Sequence, residues 1–498
     1  MDYLSFLVCL LLAWLAIHLL LSTTKASGSV PKQLPPGPPP LPIVGNLLSL
    51  GTKPHVSMAE FTKTYGPIMI LRLGQLPTVV ISSASMAKEA VQRHDLSFSD
   101  RTITDAFRAF DHHLNSIVWL PPAAQWRNLR KICNSHVFSN SRLECSQNLR
   151  RNKVKDLISY IRKSSEAGTA VDIGQAAFTT TLNLLSSTFF SMDLGDPSSE
   201  IAREFRHLVR GLLEEGGKPN LSNYFPMLRW LDPQGIRRRT GVHFKKMIDL
   251  FNTIIDQRMQ GRKPTNSMQD NDVLDALLGI NQEKTADIDP SKIPHLLLDL
   301  FTAGTDTTSS TLEWAMAELL HNPEKLKKAQ AEIEQIVGRT KPVEESDIPR
   351  LPYLQAVIKE TFRLHPAVPF NFRRSDSDVN LCGFTVPKNA QVLMNFWAIG
   401  RDPEFWDNPN LFKPERFLGS EIDVKGRDFE LIPFGAGRRI CPGLPLAIRM
   451  LHLMLGSLIH EFNWKLEEGI SPATMDMEEK FGFTLEKSQR LRAIPVPP

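Results

Sequence analysis

Cysteine is scarce in this chain. The 498 residues hold five (Cys9, Cys133, Cys145, Cys382 and Cys441), odd in number and without paired spacing. That excludes a disulfide framework and fits a reducing compartment. Charge of one sign is also lacking. The formal net charge is +4, and no long block of like charge follows the N-terminus, so nothing points to nucleic acid. No internal repeat divides the chain, and no Gly-rich dinucleotide fingerprint follows a strand. Any nicotinamide chemistry must therefore come from a partner. With 42% hydrophobic residues, the chain can bury one large core.

One long apolar run is present, Tyr3 to Leu21, with only Ser5 and His18 clearly polar. It is long enough to cross a bilayer. Asp2 precedes it, and Lys25 and Lys32 follow, so the N-terminus should face the lumen and the rest of the chain the cytosol. The competing reading is a cleaved secretory signal. Ser22–Ser27 offers small residues, but the basic n-region is missing and the run is longer than usual. A retained single-pass anchor at 3–21 is the expectation. Residues 22–45 then form a polar linker and a proline run, Leu34 to Pro42, stiff and extended. It reads as a rigid spacer before a catalytic domain at 46–498, an SH3-type ligand being the alternative.

The body reads as mainly α with small β-sheets. Ile68–Leu73 and Thr78–Ser82 suggest a hairpin, and Phe384–Val386 and Gln391–Asn395 two further strands around Pro387. Helical patterns cover Ser85–Arg93, Ala124–Cys133, Asn152–Ser165, Ile201–Glu215, Phe244–Met259, Pro294–His321, Pro323–Val337 and Leu444–Leu455. The polar stretch Arg262–Asp272 reads as a surface loop.

Three motifs carry chemistry. In the first, Phe434, Gly437, Arg439, Cys441 and Gly443 fill the spacing Phe-x-x-Gly-x-Arg-x-Cys-x-Gly at the start of a helix. A thiol there sits in positive potential, which favours the thiolate. A lone Cys in a long chain is usually a small buried hydrophobe, which accounts for the sulfur but not for its neighbours. The second is Ala303-Gly304-Thr305-Asp306-Thr307-Thr308, polar and Gly-bearing in mid-helix. Such sequence is costly there and could simply mark a kink. It also offers an acid–alcohol pair, Asp306 and Thr307, beside a small gap suited to dioxygen and proton relay. The third places Glu360 and Arg363 on one helical face, with Arg416 following in Pro414-Glu415-Arg416-Phe417.

These motifs, in this order, resemble the cytochrome P450 family, haem-thiolate monooxygenases. The resemblance implies that haem b is the cofactor, with Cys441 as the axial iron ligand, the metal site, and Phe434 packed near the sulfur. It implies that Arg439, Trp126, Arg130 and Arg374 hold the haem. The family commonly has Pro-Arg where this chain has Arg373-Arg374, and Arg374 is preferred, with Arg373 facing solvent. A buried Glu360–Arg363–Arg416 network is implied as structural. The substrate pocket implied is Phe107, Phe110, Ile117, Leu300, Ala303, Val368, Phe370, Phe372 and Phe483, apolar as small hydrophobic ligands require. Val368-Pro369-Phe370-Asn371-Phe372 should project into the cavity. Asn371 is unusual where aliphatic residues are common.

Longer stretches, among them Val171–Thr180, Thr307–Trp314 and Glu421–Pro445, resemble a plant branch of microsomal terpenoid oxidases. The implied activity is hydroxylation of a small terpenoid, a monoterpene alcohol such as geraniol or a sesqui- or diterpene. O2 and NADPH are consumed, with electrons delivered by NADPH–cytochrome P450 reductase at the endoplasmic reticulum membrane, where lipid is a further partner. The alternatives are a tyrosine-derived phenol hydroxylase of the same branch, a reductase-independent haem-thiolate isomerase or dehydratase, and a non-catalytic membrane haem-binding protein.

Overall fold

The computed structural model describes residues 33–194, 200–261, 272–282 and 289–497. The expected anchor, residues 22–32 of the linker, and nearly all of Arg262–Asp272 lie outside them. Among the described residues no helix is long and apolar enough to cross a membrane.

In chain order the body begins with α1 (Pro54–Tyr65), β1 (Ile68–Leu73), β2 (Leu76–Ile81), α2 (Ala84–Gln92), α3 (Ala124–Ile132) and α4 (Asn140–Cys145). There follow α5 (Gln147–Glu166), β3 (Val171–Asp172), α6 (Ile173–Phe190), α7 (Glu200–Gly217), α8 (Leu221–Tyr224) and α9 (Ile236–Gly261). Next come α10 (Val273–Gln282), α11 (Ile293–His321), α12 (Pro323–Val337), α13 (Pro352–Leu364) and β4 (Phe370–Arg374). The chain continues through β5 (Val379–Leu381), β6 (Phe384–Val386), β7 (Gln391–Asn395), α14 (Phe396–Ile399) and α15 (Leu444–Glu461). It ends with β8 (Asn463–Leu466), β9 (Glu479–Phe481), β10 (Leu485–Lys487) and β11 (Arg492–Val496). The expected mainly helical fold with small sheets is what is found.

The largest sheet runs β1-β2-β7-β4, with β2 parallel to β7. One sequence expectation shifts here. The hairpin strand extends back through Pro77 to Leu76. Proline is tolerated because the ladder with β7 begins only at Thr78, opposite Gln391, so no donor is missed. The strands on either side of Pro387 exist but do not pair with each other. β6 pairs with β5, whereas β7, buried at every residue, takes a central place between β2 and β4.

The proline run is docked on the body. The Ile70 N–H donates to Pro36 C=O at 2.8 Å and the Thr385 N–H to Gln33 C=O at 2.8 Å. It thereby covers the exposed edge of β1. Gly37 permits this approach, since a Cβ there would lie 2.0 Å from the Ile70 carbonyl oxygen.

α11 is the axis of the molecule. Its first third, Ile293 to Phe301, belongs to one apolar cluster with α6, α7 and α9. Its last third, from Leu312, belongs to another with α5, α13 and α15. The ten residues between, Thr302 to Thr311, join neither cluster. The site is built around that gap.

Candidate functional site

The polar stretch of α11 does not break the helix. Every hydroxyl but that of Ser310, which donates to Leu485 C=O (3.0 Å), turns back on the carbonyl four residues earlier: Thr302 to Leu298 (2.7 Å), Thr305 to Phe301 (2.7 Å), Thr307 to Ala303 (2.8 Å), Thr308 to Gly304 (3.1 Å), Ser309 to Thr305 (3.0 Å) and Thr311 to Thr307 (2.8 Å). Satisfied in this way, the hydroxyls need no partner elsewhere. On one edge Ala303 is exposed and Gly304 and Thr307 are half-buried, although the residues around them are buried. The same pattern marks Ile440 to Arg449, half-buried throughout before α15 becomes buried at Met450. α15 packs on α11. Cys441 lies near the start of one of these half-buried runs and Thr307 lies on the other, and we take the space they share as the candidate cleft.

The Cys441 loop is fixed from its own backbone. The Cys441 N–H donates to Phe434 C=O at 2.9 Å, and Phe434 stands edge-on to Phe362 at 5.1 Å. Gly437, at φ +69°, has no room for a side chain: a Cβ would come within 2.7 Å of Val91 and 2.8 Å of Asp95. Burial pushes the Cys441 thiol upward. Backbone N–H groups of Gly443 and Leu444 and the guanidinium groups of Arg130 and Arg101 oppose that shift. The expected positive environment exists, yet in the free thiol desolvation outweighs it. Coordination to a metal reverses that balance, because a coordinating thiol is deprotonated.

Four arginines crowd the same side. Arg439 donates through Nε to Ser99 C=O (2.9 Å), through Nη1 to Ile117 C=O (3.3 Å) and through Nη2 to Leu120 C=O, and lies 4.5 Å over the Trp126 ring. Trp126 Nε1 donates to Ile117 C=O at 3.0 Å, and Arg130 donates to Ile440 C=O. Arg373 is 1% exposed. Its Nη2 reaches Ala436 C=O at 3.2 Å, while Nε and Nη1 have no partner. Arg101 Nε is likewise buried without one. Burial, then mutual repulsion, lowers Arg373 and Arg439 to about 9; burial lowers Arg101 to about 10. The neighbouring acids are committed elsewhere, Asp95 to Arg438 (2.8 Å) and Asp100 to Arg374 (2.7 Å).

Buried guanidinium groups with unspent N–H donors are costly unless an anion joins them. The expected haem fits on this count, because its two propionates supply two negative charges and four acceptor oxygens. It also fits the single thiolate donor: no cluster of three or more His, Cys, Asp or Glu suited to a metal exists among the described residues.

The surroundings of Arg374 differ from those of Arg373. The Arg374 guanidinium is paired with Asp100 and its side chain is 40% exposed, although its Nε is unpartnered. Arg373, expected to face solvent, is the buried one. Alternation along β4 explains this difference. Asn371 and Arg373 face the Cys441 loop, a Cβ at Gly435 lying 3.0 Å from Asn371 Nδ2. Phe370 and Phe372 fall on the other face. They join an apolar cluster with Leu71, Val80 and Leu393, Phe370 standing 6.1 Å from Phe481. These two are therefore not brought to the loop.

The substrate-side residues divide. Phe107, Ile117 and Leu300 are buried in one cluster, with Phe483 packed against it and 6.2 Å from Phe107. Ala303 opens into the cleft, and Val368 is half-buried. Phe110 is 52% exposed with φ +53°, so the expectation that it lines the pocket is corrected: a left-handed bend turns it outward.

Asp306 and Thr307 are adjacent in sequence but diverge in space. Asp306 is 8% exposed and accepts from the Thr484 hydroxyl in the β9–β10 turn. Burial raises its carboxyl to about 6. Thr307 lies on the cleft edge. The Glu360 network is present and buried: Arg363 makes two bonds of 2.7 Å to Glu360, and Arg416 adds one of 3.0 Å. Arg363 also ties down Gly400 and Pro409 carbonyls at 2.6 Å each, so it braces the segment leading toward the Cys441 loop.

Three contributors carried no motif: Arg101, Thr484 and Asp299. Asp299 accepts from the Ile117 N–H (2.8 Å) and the Ser116 hydroxyl (2.8 Å), and sits 3.0 Å from His112 Nε2. His112 Nδ1 in turn lies 3.0 Å from His295 Nδ1. A lone acid within His295-Leu-Leu-Leu-Asp299-Leu-Phe301 was its only signal.

Comparison with known proteins agrees with this geometry. The family described as Cytochrome P450 matches residues 35–491. The chain is 57% identical over 467 residues to geraniol 8-hydroxylase from Swertia mussotii, covering 94% of each chain. It is 54% identical to geraniol 8-hydroxylase from Catharanthus roseus (99% of each) and 55% identical to drimenol monooxygenase from Persicaria hydropiper (100% and 97%). Among solved structures, a zebra fish cytochrome P450 with progesterone superposes at TM-score 0.75 and 26% identity, covering 89% of this chain and 99% of that one.

Proposed function

The chain belongs to the cytochrome P450 family, as a plant terpenoid monooxygenase, and from that premise we propose that it hydroxylates a monoterpene alcohol such as geraniol or a comparably small terpenoid. O2 is the oxidant and NADPH the electron source, through a separate reductase. The observation that carries this reading is the apolar wall of Phe107, Ile117, Leu300 and Phe483 beside the open Ala303–Thr307 edge. Haem, when bound, supplies dioxygen activation at a thiolate-ligated iron.

The chain's own residues do the rest. Cys441 would hold the iron. Arg373, Arg439 and Arg101 would hold the propionates, with Trp126 and Arg130 fixing the surrounding carbonyls. Thr307 presents its hydroxyl at the cleft edge, and the Asp306 carboxyl one residue away, titrating at about 6 beside Thr484, can take up and release a proton. The apolar wall orients the reacting carbon and keeps water out. The Glu360–Arg363–Arg416 network keeps the proximal segment rigid. Residues 3–21 anchor the protein in the endoplasmic reticulum membrane with 46–498 in the cytosol, which places the domain beside a membrane-bound reductase.

The test is product analysis with microsomes and reductase on geraniol, farnesol, santalene and a diterpene. A hydroxylated monoterpene alcohol, formed only with NADPH and O2, is expected. Turnover confined to tyrosine-derived phenols, or product without reductase, would reject the reading.

A further inference from the structure

A second cavity, of about 650 Å³, lies between α5, α6 and α7, apart from the Cys441 cleft. The sequence explains its chemistry. Along α7 the residues Ala202, Phe205, Leu208, Val209 and Leu212 are buried against the core. The opposite stripe, at offsets of three, four and seven, is Arg203, Arg206, His207 and Arg210, and all four line the cavity. A solvated helix face normally mixes signs. This one does not: Glu204, one position off the stripe, lies toward Lys246 (3.4 Å).

Compensation from acids is partial: Asp156 lines the cavity, and Asp172 and Glu214 lie near enough to act on Arg210. Lys153 of α5 also lines the cavity, but Asp193 takes its charge at 2.7 Å. Asp156 is 3.9 Å from Lys153 and its side chain is 73% exposed. Arg203 and Arg206 make no ion pair among the described residues. Arg210 is aimed by neutral groups: it donates to Gln175 Oε1, whose Nε2 donates to Thr179 at 3.0 Å, and it lies 5.0 Å over the Phe178 ring. The floor is apolar, from Leu157 and Ala176. The volume is that of a small-molecule site.

We propose that this cavity binds a phosphate or diphosphate ester of a small organic molecule. Arg203, Arg206 and Arg210 hold the anion, and the organic group lies on Leu157 and Ala176. Forked guanidinium groups suit phosphate oxygens in pairs, and three of them favour a multivalent anion over a carboxylate.

The test uses the full-length, haem-loaded protein in nanodiscs and calorimetric titration with inorganic pyrophosphate and with hexyl phosphate. Both should bind the wild type, and hexyl phosphate more tightly than inorganic phosphate titrated alongside. Arg203→Gln/Arg206→Gln should weaken both by at least about tenfold, whereas Arg203→Lys/Arg206→Lys keeps most of the affinity. The haem spectrum and terpenoid turnover should be unchanged in both variants, which separates this site from the catalytic one. A phosphatidate-containing nanodisc distinguishes the source: competition with pyrophosphate assigns a lipid headgroup to the cavity, and no competition assigns a soluble ester. Equal affinity in the wild type and the Gln variant, or no binding of either probe to the wild type, would overturn the proposal.

Discussion

The Asp299 carboxylate accepts the Ile117 N–H at 2.8 Å, while the Ile117 carbonyl accepts from Trp126 and Arg439. One residue of the pocket wall is thus pinned between α11 and the arginine cluster. Substrate side and cofactor side share this single peptide.

Asp299→Ala should loosen that wall. It strands the Ile117 N–H, the Ser116 hydroxyl and His112, and each buried unpartnered group costs about 1–3 kcal/mol. The thermal midpoint of the haem-loaded protein should fall and the distribution of hydroxylated products should broaden. An Asp299→Ala protein with wild-type midpoint and product ratio would show that the carboxylate does not position Ile117.

Arg373 and Arg374 should separate cleanly. Arg373→Ala removes a buried donor aimed at the expected propionates, whereas Arg374→Ala removes a half-exposed partner of Asp100. Haem content after purification, and its loss to apomyoglobin over time, measures the difference. Arg373→Ala should lose haem several-fold faster, by the cost of about one charge-assisted hydrogen bond. Faster loss from Arg374→Ala would restore the family's usual position.

Asp306 sets a pH dependence. Its folded carboxyl titrates at about 6 against 3.8 for the free group, with burial as the main cause. The folded state therefore holds the proton more tightly than the unfolded chain. Asp306 contributes stability below about pH 4 that is lost as pH rises through about 6. The protonated fraction falls over the same range, so product formed per NADPH consumed should decline from pH 5.5 toward 7.5. Asp306→Asn should flatten both slopes, and Thr307→Ala should lower coupling at every pH with little change in substrate affinity. Undiminished coupling in both variants would leave the pair structural.

Product ratio should respond to Phe107→Ala and Phe483→Ala, which remove one side of the apolar wall without touching Cys441 or the arginines. Phe370→Ala should act differently. Its ring sits among Leu71, Val80 and Leu393, so the loss is about 3–5 kcal/mol of core packing. A shifted product ratio at unchanged stability in Phe370→Ala would place that ring in the pocket after all.

The sequence made some of this legible and hid the rest for identifiable reasons. The loop around Cys441, the polar stretch of α11 and the Glu360 network are local patterns, and local spacing preserves them. The helices and the strands around Pro387 were located, although α9 begins at Ile236 rather than Phe244 and α15 runs on to Glu461; pairing was not, because β7 joins its neighbour β4 to β2, which lies far back in the chain. Which of Arg373 and Arg374 is buried is a question of strand face. A one-residue slip reverses it, and no composition signal reports it. Arg101 and Asp299 gain meaning only from what the fold sets beside them.

The central claim is thiolate ligation of haem iron by Cys441. The reduced carbon monoxide difference spectrum of the purified full-length protein tests it, with Cys441→Ser alongside. The wild type should show the Soret shift of a thiolate adduct and the variant should lose it, because a serine oxygen cannot supply the sulfur donor. A Cys441→Ser protein that kept both full haem content and that shifted band would contradict the account.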